Sequence, residues 1–222
     1  MKAIAFDAYG TLFDVFSVTA LGEELFPGKG DALAQLWRLK QLQYSMLRSL
    51  MGRHRDFWRV TEDALVYTAR SLGLDLTPDR RARLLEAYLT LAAFPDVKPG
   101  LEALRARGLR LGILSNGEPK MLEAAARSAG IVDLLDDIVS VEEVKIFKPS
   151  PRVYHLAPER LGVRPGELGF VSSNCWDVAG AASVGLQTFW IQRRAAEPPE
   201  ELGFTADHVV GTITDLTARL RG

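Results

Sequence analysis

With a single cysteine, Cys175, the chain has no internal disulfide, which fits a reducing compartment. Its three histidines, His54, His155 and His208, fall in no ligand or catalytic spacing and read as structural. Neither sign of charge dominates. The 27 Lys and Arg stand against 28 Asp and Glu, a formal net charge of -1, so electrostatics give no reason to expect nucleic acid or an anionic membrane as partner. No apolar run approaches membrane-spanning length. A secretory signal would need a basic and then an apolar stretch, and Asp7 interrupts that pattern at once. A soluble, cytoplasmic protein is the expectation. Repeats and low-complexity segments are missing too, and Glu197-Pro198-Pro199-Glu200 is only a turn-rich loop. What remains is an ordinary globular composition, 47% hydrophobic and 25% charged, in 222 residues. That length suits one large domain, or a core domain carrying a smaller insertion.

The chain opens on Lys2-Ala3-Ile4-Ala5-Phe6, short and mostly apolar, which reads as a buried parallel strand. Helical periodicity then takes over across 17–91. Leu33, Leu36, Trp37, Leu39 and Leu42 recur at helical spacing, as do Leu65, Ala69 and Leu72, and later Leu84, Leu85, Tyr88 and Leu89. Asp31 and Asp56 are candidate helix N-caps, and Thr77-Pro78 is a strong start signal with Pro at the first helical position. From about Phe94 strands and helices alternate. Helices are expected over 99–107, 119–129 and 152–161, the last kinked or cut short by Pro158. Strands are expected over 109–114, 138–140, 168–171, 187–191 and 208–210. The alternation implies crossover connections and a parallel sheet. The expected fold is α/β, a Rossmann-like parallel core of residues 1–15 plus 93–222 with an inserted helical subdomain of residues 16–92.

Polar residues cluster at three strand ends: Asp7 and Thr11; Ser115 and Asn116; Ser172, Asn174 and Asp177. Lys148, before Pro149, is a fourth contributor. Taken singly, each Ser or Asn reads as a helix cap and Lys148 as a solvated surface lysine. In a parallel sheet, however, all these ends emerge on one edge, the crevice where open α/β sheets bind ligands. Together they read as a site.

The segments Phe6-Asp7-Ala8-Tyr9-Gly10-Thr11-Leu12-Phe13-Asp14, Leu36-Trp37-Arg38, Leu114-Ser115-Asn116-Gly117, Lys148-Pro149 with Arg152-Val153-Tyr154, and Phe170-Val171-Ser172-Ser173-Asn174-Cys175-Trp176-Asp177 resemble the L-2-haloacid dehalogenases of the haloacid dehalogenase-like (HAD) superfamily. The resemblance covers essentially the whole chain, including the helical insertion, which it identifies with the family's cap. Phosphatases of the superfamily share the fold, Asp7, Thr11, Ser115 and Lys148. The Ser-Ser-Asn-x-x-Asp pattern and Arg38 are far more specific.

Phosphatases resembling this fold place a second Asp two residues after the nucleophile, as general acid and, through its backbone, as a magnesium ligand. Here that position is Tyr9, which is no substitute for a carboxylic acid at neutral pH. Where magnesium-dependent relatives offer late acidic ligands, Ser172, Ser173 and Asn174 leave only Asp177. A halide leaving group needs no proton, so the resemblance implies a metal-free site with no cofactor. It also implies that Asp7 attacks the α-carbon of a 2-haloalkanoic acid, giving an ester that water then hydrolyses at its carbonyl. Lys148 would hold and orient Asp7 by opposite charge, and Arg38 would receive the halide from the cap. Asp177 and Asn174 would position and activate the water, with Thr11, Ser172 and Tyr154 hydrogen-bonding around the nucleophile and lysine. Ser115 and Asn116 would hold the substrate carboxylate, and Tyr9, Leu42, Phe57 and Trp176 would form an apolar wall. For Leu42 and Phe57 ordinary core packing is the competing reading, and for Arg38 an exposed residue stacked beside Trp37. Leu39 follows Arg38 where a polar residue is expected in relatives, implying a more apolar pocket. Cys175 reads as a small packing residue. Relatives are commonly homodimers, and the same is expected here. The competing functions are a magnesium-dependent phosphatase of the same superfamily and a non-catalytic binding module.

Overall fold

The computed structural model of the protein describes residues 1–194 and 198–220; Glu197, the start of the turn-rich loop, lies outside them. Strand β1, Ala3–Phe6, is buried along its whole length. Continuous burial of an apolar strand is what a parallel sheet covered on both faces requires. Four helices make up the insertion that follows: α1 (Thr19–Leu25), α2 (Gly30–Leu50), α3 (Phe57–Ser71) and α4 (Pro78–Ala87). The alternating part comprises α5 (Val97–Ala106), β2 (Arg110–Ser115), α6 (Pro119–Ser128) and β3 (Asp137–Ser140), then α7 (Pro151–Tyr154), α8 (Leu156–Arg160) and β4 (Leu168–Ser172). It ends with α9 (Cys175–Ser183), β5 (Gln187–Ile191), β6 (His208–Val210) and α10 (Ile213–Arg219). The six strands form one sheet in the order β3-β2-β1-β4-β5-β6, with every pairing parallel.

This order puts β1 at the point where the topology reverses. From β1 the chain builds outward through β2 and β3, then crosses back to β4 on the other side. Phe6 is level with Ile113 of β2 and Val171 of β4. The residues that follow these three therefore converge at one edge, over the switch-point crevice.

Asp56 and Thr77 cap α3 and α4 as expected, accepting from the backbone N–H of Arg59 and Arg80. Asp31 does not cap α2. Lys29 holds the cap position and Asp31 lies in the first turn, where a carboxylate still meets the positive end of the helix dipole. The first predicted helix of the alternating part begins earlier than expected, at Val97. Pro99 then occupies the first turn, where its missing N–H has no intrahelical partner to lose. The expected 152–161 helix is broken at His155 into α7 and α8, because Pro158 has no N–H for the Tyr154 carbonyl. Along α2, Leu33 and Trp37 are fully buried, but Leu39 is 61% exposed, roughly 200° around the helix from Trp37. Among the described residues no helix is long and apolar enough to cross a membrane.

Candidate active site

Asp7 leaves the sheet still tied to it, its N–H donating to the Val171 carbonyl at 2.9 Å. The chain then turns sharply. Thr11, Leu12 and Phe13 all direct their N–H groups at the Ala8 carbonyl, at 3.2, 2.9 and 3.0 Å. Gly10 makes this possible with φ +94°, a conformation L side chains rarely adopt; a β-carbon there would also press to 3.3 Å from Ser173 Oγ. The turn brings Thr11 Oγ1 to 3.0 Å from Asp7 Oδ2, where it donates.

The second strand end supplies the other donor to the same oxygen. Asn174 sits at the N-cap of α9, yet its side chain makes no cap hydrogen bond. Its Nδ2 donates instead to Asp7 Oδ2 at 3.0 Å, while Ser172 Oγ accepts the Asn174 N–H at 3.1 Å. Giving up a cap forgoes about 1 kcal/mol of helix stability, so the asparagine is committed to the carboxylate. Ser173, assigned no role by the sequence reading, is also part of the frame. Its N–H donates to Thr11 Oγ1 at 2.8 Å and its Oγ to the Gly10 carbonyl at 2.7 Å. The Ser-Ser-Asn run was the available signal.

Lys148 is fully buried, which is costly unless the charge is paired. Its Nζ donates to Asp7 Oδ1 at 3.1 Å and to Asp177 Oδ2 at 2.9 Å, and lies 4.8 Å from the centre of the Phe170 ring. Tyr154 donates to the remaining Asp177 oxygen at 2.7 Å. Burial pushes the Asp177 carboxyl up to about 6, with Lys148 opposing and Asp7 reinforcing that rise. Burial, with Asp177 close by, likewise raises the Tyr154 phenol well above its usual value. The Lys148 backbone is fixed as well, its N–H donating to Asn116 Oδ1 at 2.9 Å. Ser115 Oγ accepts from Gly117 N–H at 3.1 Å, so both polar residues ending β2 face this edge.

Arg38 is not an exposed helix arginine. It is 9% exposed and reaches from α2 to donate through Nη2 to the Tyr9 carbonyl at 2.9 Å. Nη1 donates to Gln41 Oε1 at 2.8 Å, and Gln41 Nε2 donates to Thr61 Oγ1 at 2.7 Å. Burial lowers the guanidinium from its usual value, yet an arginine remains cationic. Gln41 and Thr61 carry no role in the sequence reading; the three-residue spacing of Arg38 and Gln41 on one helix face was the only hint.

A cavity of about 760 Å³ opens between α2 and the loop leading into α9. Arg38, Leu42, Asn174 and Trp176 line it, as do Leu39, Ser173 and Cys175. Tyr9 and Phe57, expected on the same apolar wall, are not among its lining residues. Their rings stack on each other at 5.6 Å, and both are buried. The Tyr9 hydroxyl is buried without a hydrogen-bond partner, and burial pushes it up, making it a still poorer proton donor. Asp7, Thr11, Ser115, Asn116, Lys148, Tyr154, Ser172 and Asp177 lie outside the cavity lining, and Asn174 links the two groups through Asp7. His54 and His208 bond to Glu142 and Gln187, and neither bonds to a residue of the Asp7 cluster. Among the described residues no group of three His, Cys, Asp or Glu side chains could hold a metal ion. Both Asp7 oxygens already accept from nitrogen or hydroxyl donors, and the Asp7–Asp177 gap holds an ammonium. Chemically this is a carboxylate held by a lysine, with a second buried carboxylate beyond it.

A model of the haloacid dehalogenase-like hydrolases matches residues 1–185. The chain is 48% identical over 213 residues to an (S)-2-haloacid dehalogenase of Pseudomonas sp. (strain YL), covering 96% of this chain and 91% of that one. A solved L-2-haloacid dehalogenase superposes with TM-score 0.96 at 47% identity, over 99% of this chain and 98% of that one. Another, from Xanthobacter autotrophicus with chloropropionic acid covalently bound, gives 0.94 at 40% identity over 100% and 99%.

Proposed function

This chain belongs to the haloacid dehalogenase-like hydrolases, and on that premise we propose that it is an (S)-2-haloacid dehalogenase. It hydrolyses the carbon–halogen bond of an L-2-haloalkanoic acid with inversion, releasing an (R)-2-hydroxy acid and halide. One observation carries the reading: Lys148 bridges Asp7 and Asp177, while Tyr9 stands where a phosphatase needs its acid.

An Asp7 oxygen attacks the α-carbon from the side opposite the halogen, and the carbon–halogen electron pair leaves as halide. Arg38, which lines the cavity from α2, receives that halide. Thr11, Asn174 and Lys148 fix the carboxylate before attack, so little of the barrier goes to orienting it. Asp177, aided by Asn174, then takes a proton from water as the water attacks the Asp7 ester carbonyl. The bond from that carbonyl to the alkyl oxygen breaks, the alkyl oxygen takes the proton held by Asp177 to give the hydroxy acid, and the Asp7 carboxyl loses its proton to solvent and returns to carboxylate. Tyr154 and Ser172 hold Asp177 and Asn174 in place. Ser115 and Asn116 take the substrate carboxylate, and Leu42 and Trp176, which line the cavity, keep water from the halogen-bearing carbon. Residues 16–92 act as the cap over a core of 1–15 plus 93–222.

The reaction needs no metal, a reading supported by the filled donor set of Asp7. The enzyme is a cytoplasmic homodimer. The lone Cys175 supports the compartment. Exposed Leu47 and Leu50 on α2 and its C-cap Met51, with Tyr67 on α3, support the dimer. Halide release from the two 2-chloropropanoate enantiomers, with and without chelator, tests the function. Only the (S) form is expected to react, at the same rate in both conditions. In a single turnover with enzyme in excess, labelled solvent oxygen should enter Asp7 before product; label passing straight to product overturns the ester route.

A further inference from the structure

We propose that Arg193 is a positioning residue for the nucleophile, acting through the Thr11 carbonyl. The inference rests on the dehalogenase reading for its kinetic consequence, though not for the contact itself. In the Asp7–Phe13 turn, three N–H groups converge on the Ala8 carbonyl, while the Thr11 carbonyl is met from outside the turn. Two donors of one guanidinium close on it, Arg193 Nε at 3.0 Å and Nη2 at 2.8 Å. The third arm, Nη1, donates to Asp96 Oδ1 at 2.7 Å, and Asp96 Oδ2 accepts the Ile213 N–H at 2.6 Å. The guanidinium lies 4.2 Å from the centre of the Phe94 ring, and the side chain is only 9% exposed.

The placement matters because Thr11 is tied at both ends. Its Oγ1 donates to Asp7 Oδ2, and its carbonyl is held by Arg193 from 182 residues away. The stretch carrying Phe94 and Asp96 is where the chain returns from the helical insertion, and it is stitched to the same turn. Phe94 N–H donates to the Leu12 carbonyl at 3.1 Å, and Asp14 N–H to the Ala92 carbonyl at 2.7 Å. Arg193 thus joins the nucleophile turn, the returning strand of the insertion and the start of α10. A bidentate fork on one carbonyl fixes direction as well as distance, which a lysine cannot reproduce. Loss of the fork frees the turn to move, and a displacement near 1 Å at a nucleophile costs on the order of a hundredfold in rate.

The test compares Arg193→Met, Arg193→Lys and Asp96→Asn with wild type on two readouts. The first is hydrogen exchange at the Leu12 and Phe13 amides, which requires no assumption about the reaction. Exchange should quicken about tenfold or more in Arg193→Met, and by less in Arg193→Lys and Asp96→Asn. The second is steady-state halide release from (S)-2-chloropropanoate. There kcat should fall tenfold to a hundredfold, roughly, with KM within about twofold, and Arg193→Lys should recover part of the loss. If Arg193→Met does not fold, the Lys and Asn variants decide by the same two readouts. Unchanged exchange in folded variants, or unchanged kcat alongside a lowered melting temperature, overturns the proposal. A wild type that releases no halide overturns the dehalogenase reading instead, and the exchange result still decides the role of Arg193.

Discussion

Asp177 is the residue whose chemistry depends most on its surroundings. It shares Lys148 with Asp7, and burial lifts its carboxyl to about 6. In the proposed reaction it is the base that activates water and must be ionised, so ester hydrolysis should slow about tenfold per pH unit below 6. Pre-steady-state measurement of ester decay between pH 4.5 and 8, roughly the range over which Asp177 titrates, checks this. Asp177→Asn should abolish that dependence and trap the ester, seen as intact protein heavier by one carboxyalkyl group. The same shift fixes the sign for folding. The folded value lies above the ordinary 3.8, so this carboxyl contributes stability that is complete below 3.8 and lost as pH rises through about 6. The residue thus works at neutral pH in its less stabilising form, held there by Lys148. Asp7 is the attacking group of the proposed reaction, and Asp7→Asn should lower turnover about a thousandfold or more while leaving the fold intact.

At the scale of elements, helices act as holders of groups that strands deliver. The N-terminus of α9 directs Asn174 at Asp7 and Asp177 at Lys148, and its later turn is shaped by what lies against it. A β-carbon on Gly180 would clash with Tyr154 Oη and fall 2.8 Å from Tyr154 Cζ and 2.9 Å from Pro149 Cβ. Gly180→Ala should therefore cost about 1–3 kcal/mol of stability by overpacking. It should also slow ester hydrolysis, because Tyr154 would lose its 2.7 Å bond to Asp177. Thermal melts and the ester-decay assay separate the two effects. On α2, the burial of Arg38 follows from the Gln41–Thr61 relay, which gives the guanidinium a partner inside the insertion before it reaches Tyr9. The apolar periodicity of α2 overstates its buried face, since Leu39 turns to the cleft mouth.

Across the whole molecule, the exposed end of α2 is out of keeping with a solvated helix. Leu50 is 85% exposed, with Leu47 and Met51 beside it and Tyr67 on α3. If a second copy covers this face, Leu50→Asp together with Leu47→Asp should shift a dimer to monomer in sedimentation at micromolar concentration. Because none of these four side chains lines the cavity, the monomer should retain halide release within severalfold. Retention of the dimer would move the interface elsewhere. The parallel sheet order makes the site a property of the entire chain, since β1, β2 and β4 each bring one group of residues to the crevice.

The strands, the helical insertion, the strand-end polar residues and the caps Asp56 and Thr77 were all legible in the sequence. Each depends on local pattern: continuous apolarity, helical spacing, or a side chain reaching three residues ahead. Long-range geometry decided the rest. Only the fold could set Lys148 between Asp7 and Asp177, turn Asn174 from cap to ligand, bury Arg38 against Gln41, and bring Arg193 to Thr11. These contacts join residues up to 182 positions apart, or select one of several partners equally near in sequence. Local propensity is blind to both, because the free energy that settles them comes from pairing buried charge and backbone polar groups once the sheet has closed.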